Sequence, residues 1–337
     1  MAIRLSEVAK HAGVSEATVS RVLNDKPGVA RGTREAVLTS VDVLGYERPS
    51  LLRRQMVGMV GLIVPELTNP IFPVMAQSIQ MGLAAEGYTA VLCTQAPGGV
   101  HEDDYLQMLL DRGAAGVIFV SGQHANLDVD LERYHRLRAR GLPMVLINGH
   151  RPEVDAPSLS NDDAAAVEVA LAHLVQLGHE RIGLATGQHR YVPVVRRVEA
   201  FRRLAAELLP DLDLDAMVQE TWFGLEGGVQ AGADLIEAGA TAVICGSDVI
   251  ALGVTRAARQ AGLCVPDDLS VVGYDGSLIS AFSDPALTTV RQDTTAICHA
   301  AVRALVDEIG GRPHRRGEAL FAPELVVRAS TGRPPER

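Results

Sequence analysis

The apolar positions of this chain change period once, near residue 57, and that change divides it. Upstream, Leu5, Val8, Ala9 and Ala12 recur at i, i+3, i+4 and i+7, which predicts a short helix with one apolar stripe. Gly13 stops that helix where a left-handed turn costs glycine little. Ser15 is placed to cap a second helix by accepting a backbone N–H. In this second helix Val19, Val22 and Leu23 face inward, and Glu16, Ala17, Ser20, Arg21 and Asn24 share the outer face. A third helix is predicted over residues 33–44, with Val37, Val41 and Leu44 on one side. Two short helices joined by a tight turn, the second with short polar groups and one Arg outward, make a helix-turn-helix reader sized for a DNA groove.

From Val57 onward, continuous apolar runs alternate with amphipathic stretches. VGMVGLIVP, YTAVLC, AGVIFV and PMVLI predict strands, with helices over about 71–86, 102–113 and 130–140 between them. The rhythm restarts after Asp162: a helix to Leu177, strand RIGLAT, a helix over about 194–208, and a strand near Val218. A helix over about 226–237, strand AVICG, a helix to Ala261 and strand LSVVGYD complete the second round. Such alternation predicts α/β architecture with parallel sheets covered on both faces, here as two Rossmann-like lobes of similar size. Ligands of these sheets bind at the carboxyl ends of the strands, so two facing lobes predict a cleft between them. The stretch from Thr288 to Val327 predicts one more helix and two short strands that cross back between the lobes.

The expected organisation is an all-α helix-turn-helix domain over 1–47, a hinge over 48–56, and a core over 57–333. The first lobe is expected to hold about 57–158 and 291–317, the second about 159–290 and 318–333. In the hinge, GYERPSLLRRQ, Pro49 can start a short helix and Arg48, Arg53 and Arg54 add positive charge. A helix this short is unstable alone, which predicts a segment that folds only against DNA.

Charge refines the division. The whole chain carries −10, yet residues 1–54 hold nine Lys or Arg against six Asp or Glu. A basic head on an acidic body suits a DNA reader attached to a domain that must stay off DNA. The four cysteines, Cys93, Cys245, Cys264 and Cys298, are scattered, which predicts reduced core residues of a cytosolic protein rather than a disulfide framework or zinc site. MAIRLSEV has no apolar leader, and no stretch approaches the ~20 apolar residues that span a bilayer, so a cytoplasmic protein without a membrane partner is expected.

Catalytic signatures are missing: no phosphate loop, no dinucleotide fingerprint, no zinc-protease helix and no nucleophile elbow occurs. His173 and His179 lie on the helix and turn of HLVQLGH, where the second caps or packs rather than reacts. The acid pairs Asp103–Asp104 and Asp267–Asp268 fall in turns or first helical turns, where carboxylates favour the positive helix end. No catalytic residue, metal or cofactor is expected.

The head LSEVAKHAGVSEATVSRVLN with GVARGTREAVLTSVDVLGYERP closely resembles the LacI/GalR transcriptional regulators. So do GLIVPELTNPIF, HLVQLGHERIGLATG, SDVIALG, GLCVPDDLSVVGYD and PALTTVRQD, in order along nearly the whole chain. The resemblance implies a dimeric repressor with a periplasmic-binding-protein-like core of type I, an effector in the cleft and a palindromic double-stranded operator. It also implies that the effector changes the relative orientation of the lobes nearest the DNA and so moves paired hinges and heads.

Carried over by motif, Leu5, Ser6, Ser15, Thr18, Ser20 and Asn24 fall where the family touches DNA phosphates, and Glu16, Ala17 and Arg21 where it reads base edges. The chemistry agrees: Arg21 can donate twice to a guanine edge, Glu16 can accept from a cytosine amino group, and Ala17 can pack on a thymine methyl. The family's minor-groove wedge falls on Met56 counting forward from Pro49, and on Leu52 counting back from Gly61. Leu52 is preferred, because Leu51–Leu52 lies inside the predicted hinge helix.

At the cleft, the resemblance implies an apolar wall from Ile71 and Phe72, an effector-fixing Arg197 and a stacking Trp222. Ser247, Asp275 and Gln292 match further polar positions, with Asp162 or Asp163 beside them; Asp163 is taken forward. Trp bordered by Arg, Asp, Gln and Ser suits a neutral polyhydroxylated ligand, a mono- or oligosaccharide. Ser247 stands where the family commonly has Asn, and the lip QHRYVPVV over 188–195 is individual, which leaves the sugar open. The C-terminal ASTGRPPER has no leucine heptads, so a homodimer is expected to be the final assembly. The alternative reading is a cytoplasmic sugar sensor that acts through protein partners without specific DNA binding.

Overall fold

The computed structural model describes residues 3–23, 26, 28–46, 57–95, 98–312 and 316–336. The chain divides along its sequence into two units, 1–56 and 57–337.

The first unit contains helices α1 (Leu5–His11), α2 (Glu16–Leu23) and α3 (Arg31–Leu44). Val8, Val19 and Val37, one from each helix, are fully buried against one another with Val22 and Tyr46. The apolar stripe read from the sequence is therefore the core of this small bundle. Ser15 accepts from the Thr18 N–H at 3.2 Å, the cap expected for α2. Gly13 adopts φ +66° and Gly45 φ +63°, left-handed turns after α1 and at the end of α3. His11 Nδ1 bonds Ser40 Oγ at 2.9 Å, tying α1 to α3. The third helix starts at Arg31, slightly earlier than residue 33.

In the second unit, strands β1 (Gly58–Val64), β2 (Tyr88–Thr94), β3 (Gly116–Val120), β4 (Met144–Ile147) and β5 (Pro157–Asn161) alternate with α4 (Ile71–Ala85), α5 (Glu102–Asp111) and α6 (Glu132–Ala139). Then follow α7 (Asp163–Gln176), β6 (Ile182–Thr186), α8 (Val192–Leu208), β7 (Val218–Glu220), α9 (Leu225–Glu237), β8 (Ala242–Cys245), α10 (Asp248–Gln260), β9 (Ser270–Asp275) and α11 (Leu278–Phe282). The chain ends through β10 (Thr288–Arg291), α12 (Thr294–Ile309), β11 (Gly317–Phe321) and β12 (Glu324–Val326).

These strands form two sheets, ordered β11-β5-β4-β3-β1-β2 and β12-β10-β9-β8-β6-β7. All pairs are parallel except β10 with β12, so each lobe is a parallel sheet between helical layers, as the alternation predicted. In β1, Val60, Leu62 and Val64 face α4 and α12, whereas Ile63 faces α5 and α6. Helices α9 and α10 cross so closely that a Cβ on Gly228 would lie 2.2 Å from the Ile250 carbonyl oxygen, an approach only glycine permits.

Four expectations need correction. Strand β5, sequence PSLSN, has no apolar run to announce it, although every residue in it is buried. The last stretch carries three strands, not two, because β11 extends the first sheet while β10 and β12 extend the second. Since β5 and β11 both belong to the first sheet and β10 to the second, the expected lobe breaks at 158/159, 290/291 and 317/318 move later, to the crossovers after Asn161, Arg291 and Phe321. Cys93, Cys245 and Cys298 are buried, but Cys264 is exposed rather than in the core. No described helix is long and apolar enough to cross a membrane.

Candidate functional site

On α2, the outward face read from the sequence is outward in the structure: Glu16, Ala17 and Arg21 are exposed, Thr18 and Ser20 half-buried. The Ser15 hydroxyl also bonds Thr18 Oγ1 at 2.9 Å. On α1, Ser6 is exposed and Leu5 is half-buried against the bundle core. Asn24, Leu52 and Met56 lie outside the described residues.

Between the lobes lies a cavity of about 390 Å³ at the carboxyl ends of both sheets, within the ~300–1,000 Å³ range of small-molecule sites. Ile71, Phe72, Asp163, Arg197, Trp222, Ser247, Asp275 and Gln292, drawn from seven separate stretches of sequence, all line it. Asp162 does not; its carboxylate caps α7 by accepting from the Ala165 N–H at 3.0 Å.

Arg197 is only 7 % exposed. Its Nε donates to the Pro193 carbonyl at 3.0 Å and its Nη1 to the Gly246 carbonyl at 2.8 Å. Asp163 lies 3.3 Å from Nε, and the guanidinium stands 4.5 Å above the Tyr274 ring. Burial pushes the Asp163 carboxyl up to about 6, with the Arg197 charge pulling against it. Tyr274 completes the group, since its hydroxyl accepts from Asn161 Nδ2 at 2.7 Å.

Asp275 accepts from Gln292 Nε2 at 2.8 Å and, across the cleft, from Asn69 Nδ2 at 3.4 Å. Burial, followed by the neighbouring charge of Asp248, raises its pKa, against the opposing hydrogen bonds and Arg197. Gln292 Oε1 is buried with no protein partner, an acceptor directed at a cavity it lines. Ser247 is less available than its place in the sequence suggested, because its hydroxyl caps α10 by accepting from the Ile250 N–H at 3.1 Å. Trp222 is 72 % exposed at the mouth, beside Phe223, whose ring meets Tyr191 edge-on at 5.8 Å.

Among the described residues, the non-glycine residues with positive φ are Ser121, Asn148 and Asp275, and all three line this cavity. Each follows or ends a strand, where the strained turn aims a polar side chain inward. Sequence reasoning missed Asn69, Gln95, Gln123 and Asn148, the amides of the first lobe's wall. The only signal was their place just after a predicted strand, because amides belong to no catalytic motif. His179 is structural: its ring bonds Thr241 Oγ1 at 2.9 Å and reaches the Gly332 carbonyl at 3.0 Å. No cluster of three metal-ligating side chains occurs among the described residues.

Comparison with known proteins fits this two-part design. Residues 4–49 match the family described as bacterial regulatory proteins of the lacI family, and residues 171–331 match a periplasmic binding protein-like domain. The transcriptional regulator MalR of Streptomyces coelicolor is 55 % identical, over 99 % of this chain and 98 % of its own. The chain belongs to the LacI family. This LacI-family protein is a transcriptional regulator and not an enzyme. Among solved structures, a CelR–cellobiose complex is 28 % identical with a TM-score of 0.73, covering 97 % of this chain and 99 % of that one. A lac repressor dimer bound to operator and an anti-inducer is 25 % identical with a TM-score of 0.70, covering 98 % and 100 %.

Proposed function

We propose that this regulator is a homodimeric repressor whose affinity for a palindromic operator is set by a sugar in the interlobe cleft. The observation that carries the sugar reading is Trp222, an apolar face left 72 % exposed at the mouth of a cavity lined by Arg, Asp, Gln and Asn side chains. An aromatic face takes the C–H side of a pyranose while charged and amide groups bond its hydroxyls. The cellobiose in the CelR complex is a ligand of this class. In the head, Leu5, Ser6, Ser15, Thr18, Ser20 and Asn24 hold phosphates, while Glu16, Ala17 and Arg21 read base edges. Leu52 is the hinge wedge. Leu278 and Phe282, 75 % and 80 % exposed on α11, supply apolar surface for a second copy.

Trp222 is the single tryptophan of the chain, so its fluorescence reports the cleft directly. Titration with mono- and disaccharides is expected to give a saturable change with one sugar class. The same sugar is expected to shift operator affinity by roughly 5–150-fold in a band-shift assay. A fluorescence response without an operator shift would favour a sensor acting through other partners; no response to any sugar would overturn the sugar reading.

A further inference from the structure

Behind the first lobe's wall sits a carboxylate that does not line the cavity. Glu102, the first residue of α5, is 2 % exposed. Its Oε1 accepts from the Tyr134 hydroxyl at 2.6 Å and faces Arg133 Nη1 at 3.7 Å. Its Oε2 accepts from the Gln123 backbone N–H at 3.1 Å and from the Gln95 side-chain amide. Two of these four neighbours, the Arg133 cation and the Gln123 N–H, can only donate, and both carboxylate oxygens face one of them, so Glu102 acts here as an acceptor. A carboxylate acceptor dictates the polarity of any amide bonded to it. Gln95 must turn its Nε2 toward Glu102, which leaves its Oε1 to accept from Gln123 Nε2 at 3.3 Å. One Gln123 N–H is thereby committed, which fixes which way the amide faces, and among the described residues its Oε1 has no protein partner. Gln95 and Gln123 both line the cavity. Gly122 makes room for the arrangement, since a Cβ there would lie 3.1 Å from Glu102 Oε2.

We propose that Glu102 is the positioning residue that fixes the direction of this amide relay, so that the Gln123 Oε1 is kept free to accept from the ligand. Gln123 Oε1 is then one acceptor on the first lobe's wall matched to a hydroxyl donor, while Arg197 supplies donor character on the opposite wall. This assignment rests on the cleft being the sugar site for its consequence, but not for its geometry. The Glu102→Gln change removes the constraint, because an amide can accept or donate at the same place.

The test has two arms. Nitrogen-15 NMR of the full-length protein reads the side-chain NH2 groups of Gln95 and Gln123, assigned by deleting each in turn. Each is expected to give one sharp, hydrogen-bonded pair in the wild type. In Glu102→Gln both are expected to shift or broaden while backbone resonances of the second lobe stay in place. Should Glu102→Gln fail to fold, Gln95→Leu breaks the relay at its middle and must alter the Gln123 pair. Unmoved NH2 resonances in these variants would overturn the proposal. The second arm titrates cellobiose against Trp222 fluorescence. Loss of about one hydrogen bond predicts roughly 3- to 10-fold weaker binding in Glu102→Gln. Gln123→Ala should weaken binding similarly, and the double variant should be no worse than either single one. Additive losses would overturn it. A wild type that ignores cellobiose counts against the ligand reading alone, because the NMR arm still decides the relay.

Discussion

Arg196 on α8 forks onto Glu318 on β11 through hydrogen bonds of 2.7 and 2.9 Å, joining the second lobe to the first. Its chain neighbour Arg197 turns instead into the cleft. Burial raises the Glu318 carboxyl, but the Arg196 fork more than offsets this and leaves it below its ordinary value. The pair is partly buried, so Arg196→Ala is expected to cost about 1–3 kcal/mol, between exposed and buried ion pairs. A depressed carboxyl contributes stability that is complete above its ordinary pKa of 4.5 and lost as pH falls through the lower folded value. Urea unfolding of wild type and Arg196→Ala should therefore converge only on acidification below that point.

Asp163 runs the other way. Its folded value of about 6 stands above the ordinary 3.8, so its contribution is present below 3.8 and lost as pH rises through 6. Asp163→Asn is expected to flatten the fall of stability between pH 4 and 6 relative to wild type. Urea midpoints measured across that window check it; identical slopes would show that Asp163 does not carry the titration.

Trp222 should separate binding from folding. At 72 % exposure its replacement by Ala is expected to leave stability within about 0.5 kcal/mol, the range for surface substitutions. Loss of a stacking face should weaken effector binding by about tenfold, roughly 1.4 kcal/mol. Thermal unfolding and calorimetric titration test the two halves. A large drop in melting temperature would mark Trp222 as a packing residue.

Arg21 is exposed on the outer face of α2, and under the proposed reading a guanine partner would make it a discriminating contact. Arg21→Ala is expected to lose about 1–3 kcal/mol of preference for operator over a site changed at one G·C pair. Ser6→Ala, by contrast, should weaken both sites alike, as phosphate contacts do. Competition band shifts at fixed salt distinguish the two; retained selectivity in Arg21→Ala would rule out base reading by this side chain.

The sequence alone determined the two-unit architecture, because helix and strand periods are local properties of the apolar pattern. Val8, Val19 and Val37 could be placed in one core by spacing, and β1 as a buried parallel strand by its unbroken apolar run. The cleft positions from Ile71 to Gln292 were legible through motif resemblance rather than from local pattern. Strand β5 escaped because its buried Ser and Asn residues read as loop until β4 and β11, on either side, supply backbone partners. Asp162 and Asp163 were indistinguishable in sequence; the start of α7 makes one a cap and directs the other at Arg197. The pairing of Arg196 with Glu318 and the direction of the Gln95–Gln123 amides depend on groups distant in sequence. Those choices belong to tertiary structure, since a hydrogen bond's polarity and a carboxyl's pKa are set by what the whole fold packs around them.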